Sequence, residues 1–140
     1  MYKIRKTKEV EKVKKIFRQI FPEDDWYESP GNHYWLVFSD KEVIGFCSSV
    51  DCRLKEKSNK CLFLSFAGLL KKARGKGLHK RMLKVRENHA KKIGLNDIVT
   101  YCIPDNWSSI SNLIKNNYKV YEPEYDWVGQ NVLYFHKKLK

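Results

Sequence analysis

The passage from Cys61 to Leu83, CLFLSFAGLLKKARGKGLHKRML, constrains this chain more than any other. An apolar run of strand length, Leu62 to Leu70, meets a basic glycine turn, Lys71-Lys72-Ala73-Arg74-Gly75-Lys76-Gly77, and a helical pattern begins at Leu78. Strand, glycine turn and helix in that order build a phosphate cradle. The two glycines allow a tight turn and a close backbone approach to a ligand. The unpaired N–H groups at the head of the helix, aligned with its dipole, favour an anion there. Lys71, Lys72, Arg74 and Lys76 add positive charge. A phosphorylated cofactor is therefore expected.

The rest of the chain reads as alternating strands and helices around that passage. Residues 2–6 alternate and predict a first strand. Residues 8–20 predict a helix with Val10, Val13, Ile16, Phe17 and Ile20 on one stripe. Phe21-Pro22 ends it. Glu23 to Asn32, with Pro30-Gly31, reads as an acidic, aromatic loop. Residues 33–39 and 42–51 predict a β-hairpin about Asp40-Lys41. Arg53–Lys60 is a charged connection, and 61–70 is apolar on both faces, as a central strand is. Residues 78–93 predict a helix with Leu78, Met82, Val85 and Ile93 inward and Lys80, Arg81, Lys84, Arg86, Lys91 and Lys92 mostly outward; Gly94 stops it. Residues 97–103 predict a strand. Asp105 or Asn106 caps a helix over 107–116 whose apolar positions are Trp107, Ile110, Leu113 and Ile114. Residues 118–121 and 132–138 predict the last strands. The expected fold is α+β (α/β mixed), a single domain over 1–140 with a central mixed sheet and helices on both faces.

Composition narrows the setting. At 140 residues and 42% hydrophobic content the chain can bury a core. No apolar run approaches the roughly 18 residues of a membrane span, and the basic start is not followed by a signal peptide's apolar core. A cytoplasmic protein away from the membrane is expected. Cys47, Cys52, Cys61 and Cys102 show no metal-ligand spacing, so no metal site and four buried free thiols are expected. The net charge of +12 suits a polyanion, either nucleic acid or a multiply phosphorylated cofactor, or else only a lysine-rich surface.

The glycine turn fits neither G-x-x-x-x-G-K-[ST] nor G-x-G-x-x-G, since position 80 is Lys. Arg74-Gly75-Lys76-Gly77-Leu78 after an apolar strand instead resembles the acetyl-CoA pyrophosphate loop of the GCN5-related N-acetyltransferases, R/Q-x-x-G-x-G/A, with His79 where Gly or Ala is usual. A second family motif, N-x-x-[AS]-x-x-x-Y-x-x-x-G-F, falls on Asn106, Ser109 and Tyr118, with Asn117 at the glycine; Asn tolerates left-handed backbone. The ending YEPEYDWVGQNVLYF resembles a small bacterial and phage acetyltransferase type through Trp127, Gly129 and Tyr134.

The resemblance implies acetyl-CoA (CoA) as cofactor and direct attack of an amine on the thioester in a ternary complex. It implies CoA contacts at Ala67, Leu69, Leu70, Arg74, Gly75, Lys76, Gly77, Leu78, His79, Asn106 and Ser109, with the backbone of Ala67 to Leu70 holding the pantetheine arm. The family's acid Tyr falls on Leu113, which leaves Tyr101, Ser109, Tyr118 or a water to protonate the thiolate. The fourth strand offers Ser65 and no carboxylate. Ser65 and Asp24, Asp25, Trp26 and Tyr27 of the acidic loop are the expected acceptor-binding residues. His33, His89 and His136 are expected to be structural or exposed, and Trp35, Trp107 and Trp127 core or pocket wall. The acceptor is a small-molecule or protein amine. The rival readings are a nucleic-acid-linked amine, recruited by the basic surface, and a non-catalytic module that binds CoA esters. Monomer and homodimer both remain open.

Overall fold

A computed structural model describes residues 1–28 and 31–140. Ser29 and Pro30, part of the expected 23–32 loop, lie outside the described residues. The elements are β1 (Tyr2–Thr7), α1 (Val10–Ile20), β2 (Asn32–Ser39), β3 (Glu42–Cys52), β4 (Cys61–Leu69), α2 (Leu78–Lys92), β5 (Asp97–Cys102), α3 (Trp107–Lys115), β6 (Lys119–Tyr121) and β7 (Leu133–Lys138). Every expected strand and helix is present, with ends shifted by two residues at most. The connection 53–60 holds one 3₁₀ turn, Lys55–Lys57.

The seven strands form one mixed sheet in the order β1-β2-β3-β4-β5-β7-β6. β1 with β2, β2 with β3, β5 with β7 and β6 with β7 pair antiparallel. β4 and β5 pair parallel, Cys61 opposite Asp97. The contacts divide the chain into two compact units, Met1–Val50 with Ser65–Arg86, and Asp51–Leu64 with Glu87–Lys140.

In the first unit successive residues of β2 feed opposite faces, as strand geometry requires. Tyr34 and Leu36 join Val13, Ile16, Phe17 and Phe46 beneath α1. Trp35 and Val37 join Ile44, Cys47, Leu69, Leu78 and Met82 beneath α2. Helices thus cover both faces. Asp40 takes φ 53° in the hairpin turn. In the second unit Cys52, Leu54, Cys61 and Val99 form a smaller cluster, flanked by Phe63 and Trp127. Gly94 (φ 82°) stops α2 with Leu95 N–H donating to the Ala90 carbonyl at 2.8 Å. Asn117 takes φ 71°, the left-handed conformation its glycine-like position calls for.

Four expectations need correction. Cys52 and Cys61 form a disulfide, with Cα atoms 5.0 Å apart, because the end of β3 lies beside the start of β4; only Cys47 and Cys102 are buried free thiols. Arg86 is buried rather than outward: its Nε donates to the Met82 carbonyl at 3.1 Å and its Nη1 to the Ser48 carbonyl at 3.2 Å. Ile93 is exposed, because it lies beyond the last turn of α2. Trp107 (73% exposed) and Ile114 also face solvent, because α3 buries the stripe of Ile110 and Leu113 alone.

Candidate functional site

The glycine turn is held at both ends by its own side chains. Leu70 N–H donates to the Ile44 carbonyl at 2.8 Å, and a single 3₁₀ turn, Lys71–Ala73, follows. Ala73 and Leu78 are buried together with Leu69 and Met82, which pins the chain on each side of Arg74–Gly77. Gly75 and Gly77 both take φ 75°, a conformation that costs an L-residue about 1–2 kcal/mol. A Cβ built on either glycine meets nothing within 4 Å. The glycines are therefore required by backbone conformation, and the space over the turn is open.

Arg74, Gly75, Lys76 and Gly77 are exposed around that space. Lys72 is paired with Glu42. The Gly77 carbonyl accepts from Arg81 N–H, so α2 starts directly at the turn, and the first amides of α2 have no acceptor inside the helix. His79 sits half-buried in that first turn. Burial, and then the charges of Arg86 and Arg74, hold its pKa below the usual imidazole value. An imidazole there is neutral at neutral pH and both donates and accepts hydrogen bonds.

β4 leads into this turn. Leu69 is buried and Ala67, half-buried, packs against the same core; the Leu70 amide is already used by β3. One strand turn earlier Ser65 is half-buried, with its Oγ 2.7 Å from Ser48 Oγ of β3. Phe66 N–H donates to that same Ser48 Oγ at 3.1 Å. Ser48 was not among the expected residues. Its one signal is a run of small polar residues, Ser48-Ser49, in a strand buried on both faces.

The acidic loop divides in two. Trp26 stacks on Tyr34 (5.8 Å between centroids), meets Phe17 edge-on and donates Nε1–H to Glu28 at 3.2 Å. Tyr27, 66% exposed, lies edge-on to Phe66 of β4 at 6.4 Å. Tyr27 thus meets β4 at Phe66, and Trp26 joins Phe66 in the cluster beneath α1, whereas Asp24 and Asp25 lie on the solvent surface. Tyr34 was also not foreseen: its hydroxyl accepts from Asn32 Nδ2 at 2.8 Å, and burial raises its pKa.

In the second unit Asn106 caps α3, its Oδ1 accepting from Ser109 N–H at 3.4 Å; Ser109 is half-buried and Asn106 exposed. Leu113, at the family's acid position, is 6% exposed. Tyr101 stacks on Phe63 (5.9 Å) and meets Trp127 edge-on (6.1 Å), and Trp127 contacts Tyr134. Tyr118 is 2% exposed and its hydroxyl donates to Glu87 Oε2 at 2.8 Å; Lys137 Nζ bonds the same carboxylate at 3.1 Å and 3.2 Å. The rings of His33 and His136 pack on Trp35 and Tyr121. Two surface clefts, of about 300 and 240 Å³, are lined by residues of 120–134 and by Tyr2, Ser39, Glu42, Ile44, Lys72 and Ala73; neither is formed by residues 74–79.

Comparison with curated proteins finds no match. Solved structures with the same fold are numerous. An acetyltransferase from Bacillus subtilis in complex with CoA is 13% identical, with a TM-score of 0.78 over all of both chains. The IAA acetyltransferase from Bacillus cereus ATCC 14579 is 14% identical, with a TM-score of 0.77 over 99% of this chain and 100% of that one. The PaiA N-acetyltransferase from Thermoplasma acidophilum, in complex with coenzyme A, is 17% identical, with a TM-score of 0.71 over 99% of each chain. At such identities the likeness shows the fold. The sequence profile of the acetyltransferase (GNAT) family matches residues 2–112, from β1 into α3, and the chain belongs to that family.

Proposed function

We propose that the whole chain acts as one N-acetyltransferase domain that moves the acetyl group of acetyl-CoA to an amine by direct attack. The observation that carries this reading is the open turn at the head of α2, with Gly75 and Gly77 both left-handed and nothing beyond the adjacent residues within 4 Å of where a side chain would start. The CoA complexes of the Bacillus subtilis and Thermoplasma acidophilum proteins support it. Arg74, Gly75, Lys76, Gly77, Leu78 and His79 hold the pyrophosphate through backbone amides and cationic side chains. The backbone of Ala67, Leu69 and Leu70 holds the pantetheine arm. Asn106 and Ser109 contact the cofactor from α3. Ser65, Trp26 and Tyr27 line the acceptor side, and Asp24 and Asp25 draw a cationic amine towards it.

In the reaction the amine nitrogen attacks the thioester carbon, the C–N bond forms, the C–S bond breaks with its electron pair on sulfur, and the nitrogen gives up one proton to solvent. Tyr101 or Ser109 protonates that thiolate, or solvent does; the Tyr118 proton is committed to Glu87. The activity implies a compartment that holds acetyl-CoA, the cytoplasm. The test is release of free thiol from acetyl-CoA against a panel of amines, with Gly77→Glu as the control that removes cofactor binding. Thiol release that depends on an amine supports the reading, and binding of acetyl-CoA without turnover on any amine refutes it. The buried Leu113 favours, as a second reading, a module that binds CoA esters without turning them over. The net charge of +12 favours an acceptor amine carried on nucleic acid, which salt-sensitive RNA binding would reveal.

A further inference from the structure

We propose that Ser65 is a hydrogen-bond donor to the thioester carbonyl oxygen, and that Ser48 is the positioning residue that aims it. The proposal rests on the acetyltransferase reading and assigns a role within that site.

The direction of the Ser48–Ser65 hydrogen bond follows from counting protons. Ser48 is 2% exposed, on a strand buried on both faces. A serine hydroxyl has one proton and two lone pairs. Phe66 N–H occupies one lone pair of Ser48 at 3.1 Å. Among the described residues the one other group bonded to Ser48 Oγ is Ser65 Oγ, at 2.7 Å. A buried hydroxyl proton without an acceptor is costly, so Ser48 donates to Ser65. The proton of Ser65 is then directed away from Ser48. Because Ser65 is only half-buried, that proton can meet a ligand.

The strand carrying Ser48 is itself held. Arg86 Nη1 donates to the Ser48 carbonyl, and Arg86 Nε to Met82 in the preceding turn of α2. The helix that opens at the glycine turn therefore fixes β3, and β3 fixes the Ser65 hydroxyl; all of these residues lie in one compact unit. A pantetheine arm that starts at Gly75–His79 and runs back along Leu70 to Ala67 next meets Ser65, two strand residues or about 7 Å further on.

Ser65 then keeps one free lone pair and has a proton to give. That proton suits an oxygen that gains negative charge. As the amine attacks, that charge develops on the thioester oxygen. Ser65 strengthens its hydrogen bond there and keeps its proton throughout, so no proton is transferred to or from it. The Phe66 amide is committed to Ser48 and does not compete for that oxygen.

The experiment compares wild type, Ser65→Ala, Ser65→Thr, Ser48→Ala and the double alanine variant. The dissociation constant of acetyl-CoA should stay near that of wild type in all of them. The carbonyl stretch of bound ¹³C-labelled acetyl-CoA should lie lower in wild type and Ser65→Thr than in Ser65→Ala. With an accepted amine, kcat should fall about 10²–10³-fold in Ser65→Ala, the effect of deleting one oxyanion donor. It should fall less in Ser48→Ala, and the double variant should match Ser65→Ala. An unchanged stretch in Ser65→Ala overturns the proposal, as does a rise in amine KM with kcat intact. If wild type binds acetyl-CoA but acetylates no amine, the stretch alone decides the donor role and only the transferase reading falls. If wild type binds no acetyl-CoA, both fall.

Discussion

Substitution of Gly77 separates what the turn requires for folding from what it offers a ligand. At φ 75° both Gly77→Ala and Gly77→Glu carry the left-handed penalty of about 1–2 kcal/mol. For a chain of this size that lowers the melting midpoint by roughly 3–8 °C. Neither variant adds an overlap at Cβ, since nothing beyond the adjacent residues lies within 4 Å of that position. The two should therefore be similarly destabilised. They should differ in binding. A glutamate carboxylate about 5 Å from a phosphate is repelled by about 1–3 kcal/mol per phosphate charge, depending on the effective dielectric. Two charges give about 2–6 kcal/mol, a loss of at least about 30-fold. The alanine methyl adds bulk and no charge, so its loss should be smaller. Calorimetric titration with CoA, paired with thermal melts of all three proteins, reads both quantities. If Gly77→Glu bound CoA as tightly as Gly77→Ala, the pyrophosphate would not lie at this turn.

Protonation of His79 links pH to both binding and stability. Its pKa lies below 6.5 in the free protein and phosphates beside it favour the imidazolium, so CoA affinity should rise as pH falls towards and below 6.5, and His79→Gln should flatten that slope in titrations at several pH values. For the free chain the sign reverses: the unfolded imidazole takes its proton first, so this stability is present above pH 6.5 and is lost as pH falls through the folded pKa, as urea midpoints at several pH values would show. Tyr118→Phe should cost about 1.5–3 kcal/mol in urea unfolding, because it deletes a hydrogen bond to the buried Glu87 carboxylate, while turnover follows the folded fraction. Reduction of Cys52–Cys61, which closes a loop with a sequence separation of 9, should remove about 3 kcal/mol, measured as the urea midpoint with and without dithiothreitol.

The fold was legible because its elements are punctuated locally. Phe21-Pro22, Asp40-Lys41, Gly94 and Asn117 each end an element where a turn residue or left-handed backbone is needed. The glycine turn was legible for the same reason. What escaped the sequence depends on partners distant along the chain. Arg86 is one of many cationic residues on α2, and its acceptor in β3, the Ser48 carbonyl, lies 38 positions away in the chain. The disulfide depends on strand ends meeting across a charged connection with no cysteine spacing to announce it. Trp107 and Ile114 are apolar at helical spacing, yet they lie off the stripe of Ile110 and Leu113 that α3 buries. Ser48 is one of two adjacent serines in a buried strand, and its role exists only once β3 lies against β4.

The leucine at position 113 bears on how such a site can work. It is a core residue, 6% exposed, whose carbonyl accepts from Tyr118 N–H at 3.0 Å; restoring a tyrosine there would overfill the core. General acid catalysis is worth about 10²–10⁴-fold. A thiol with a pKa of about 8.5 is nonetheless a competent leaving group near neutral pH, and water can protonate it after the C–S bond breaks. Holding the two reactants together contributes about 7–11 kcal/mol. One donor on the oxyanion adds about 2.7–4 kcal/mol. A chain that keeps the glycine turn and a fixed hydroxyl at Ser65 retains the larger of these terms without a dedicated acid. A solvent-protonated thiolate leaves no acid limb in the pH profile of kcat. If Tyr101 or Ser109 were the obligatory acid, Tyr101→Phe or Ser109→Ala would instead lower kcat by that 10²–10⁴-fold factor.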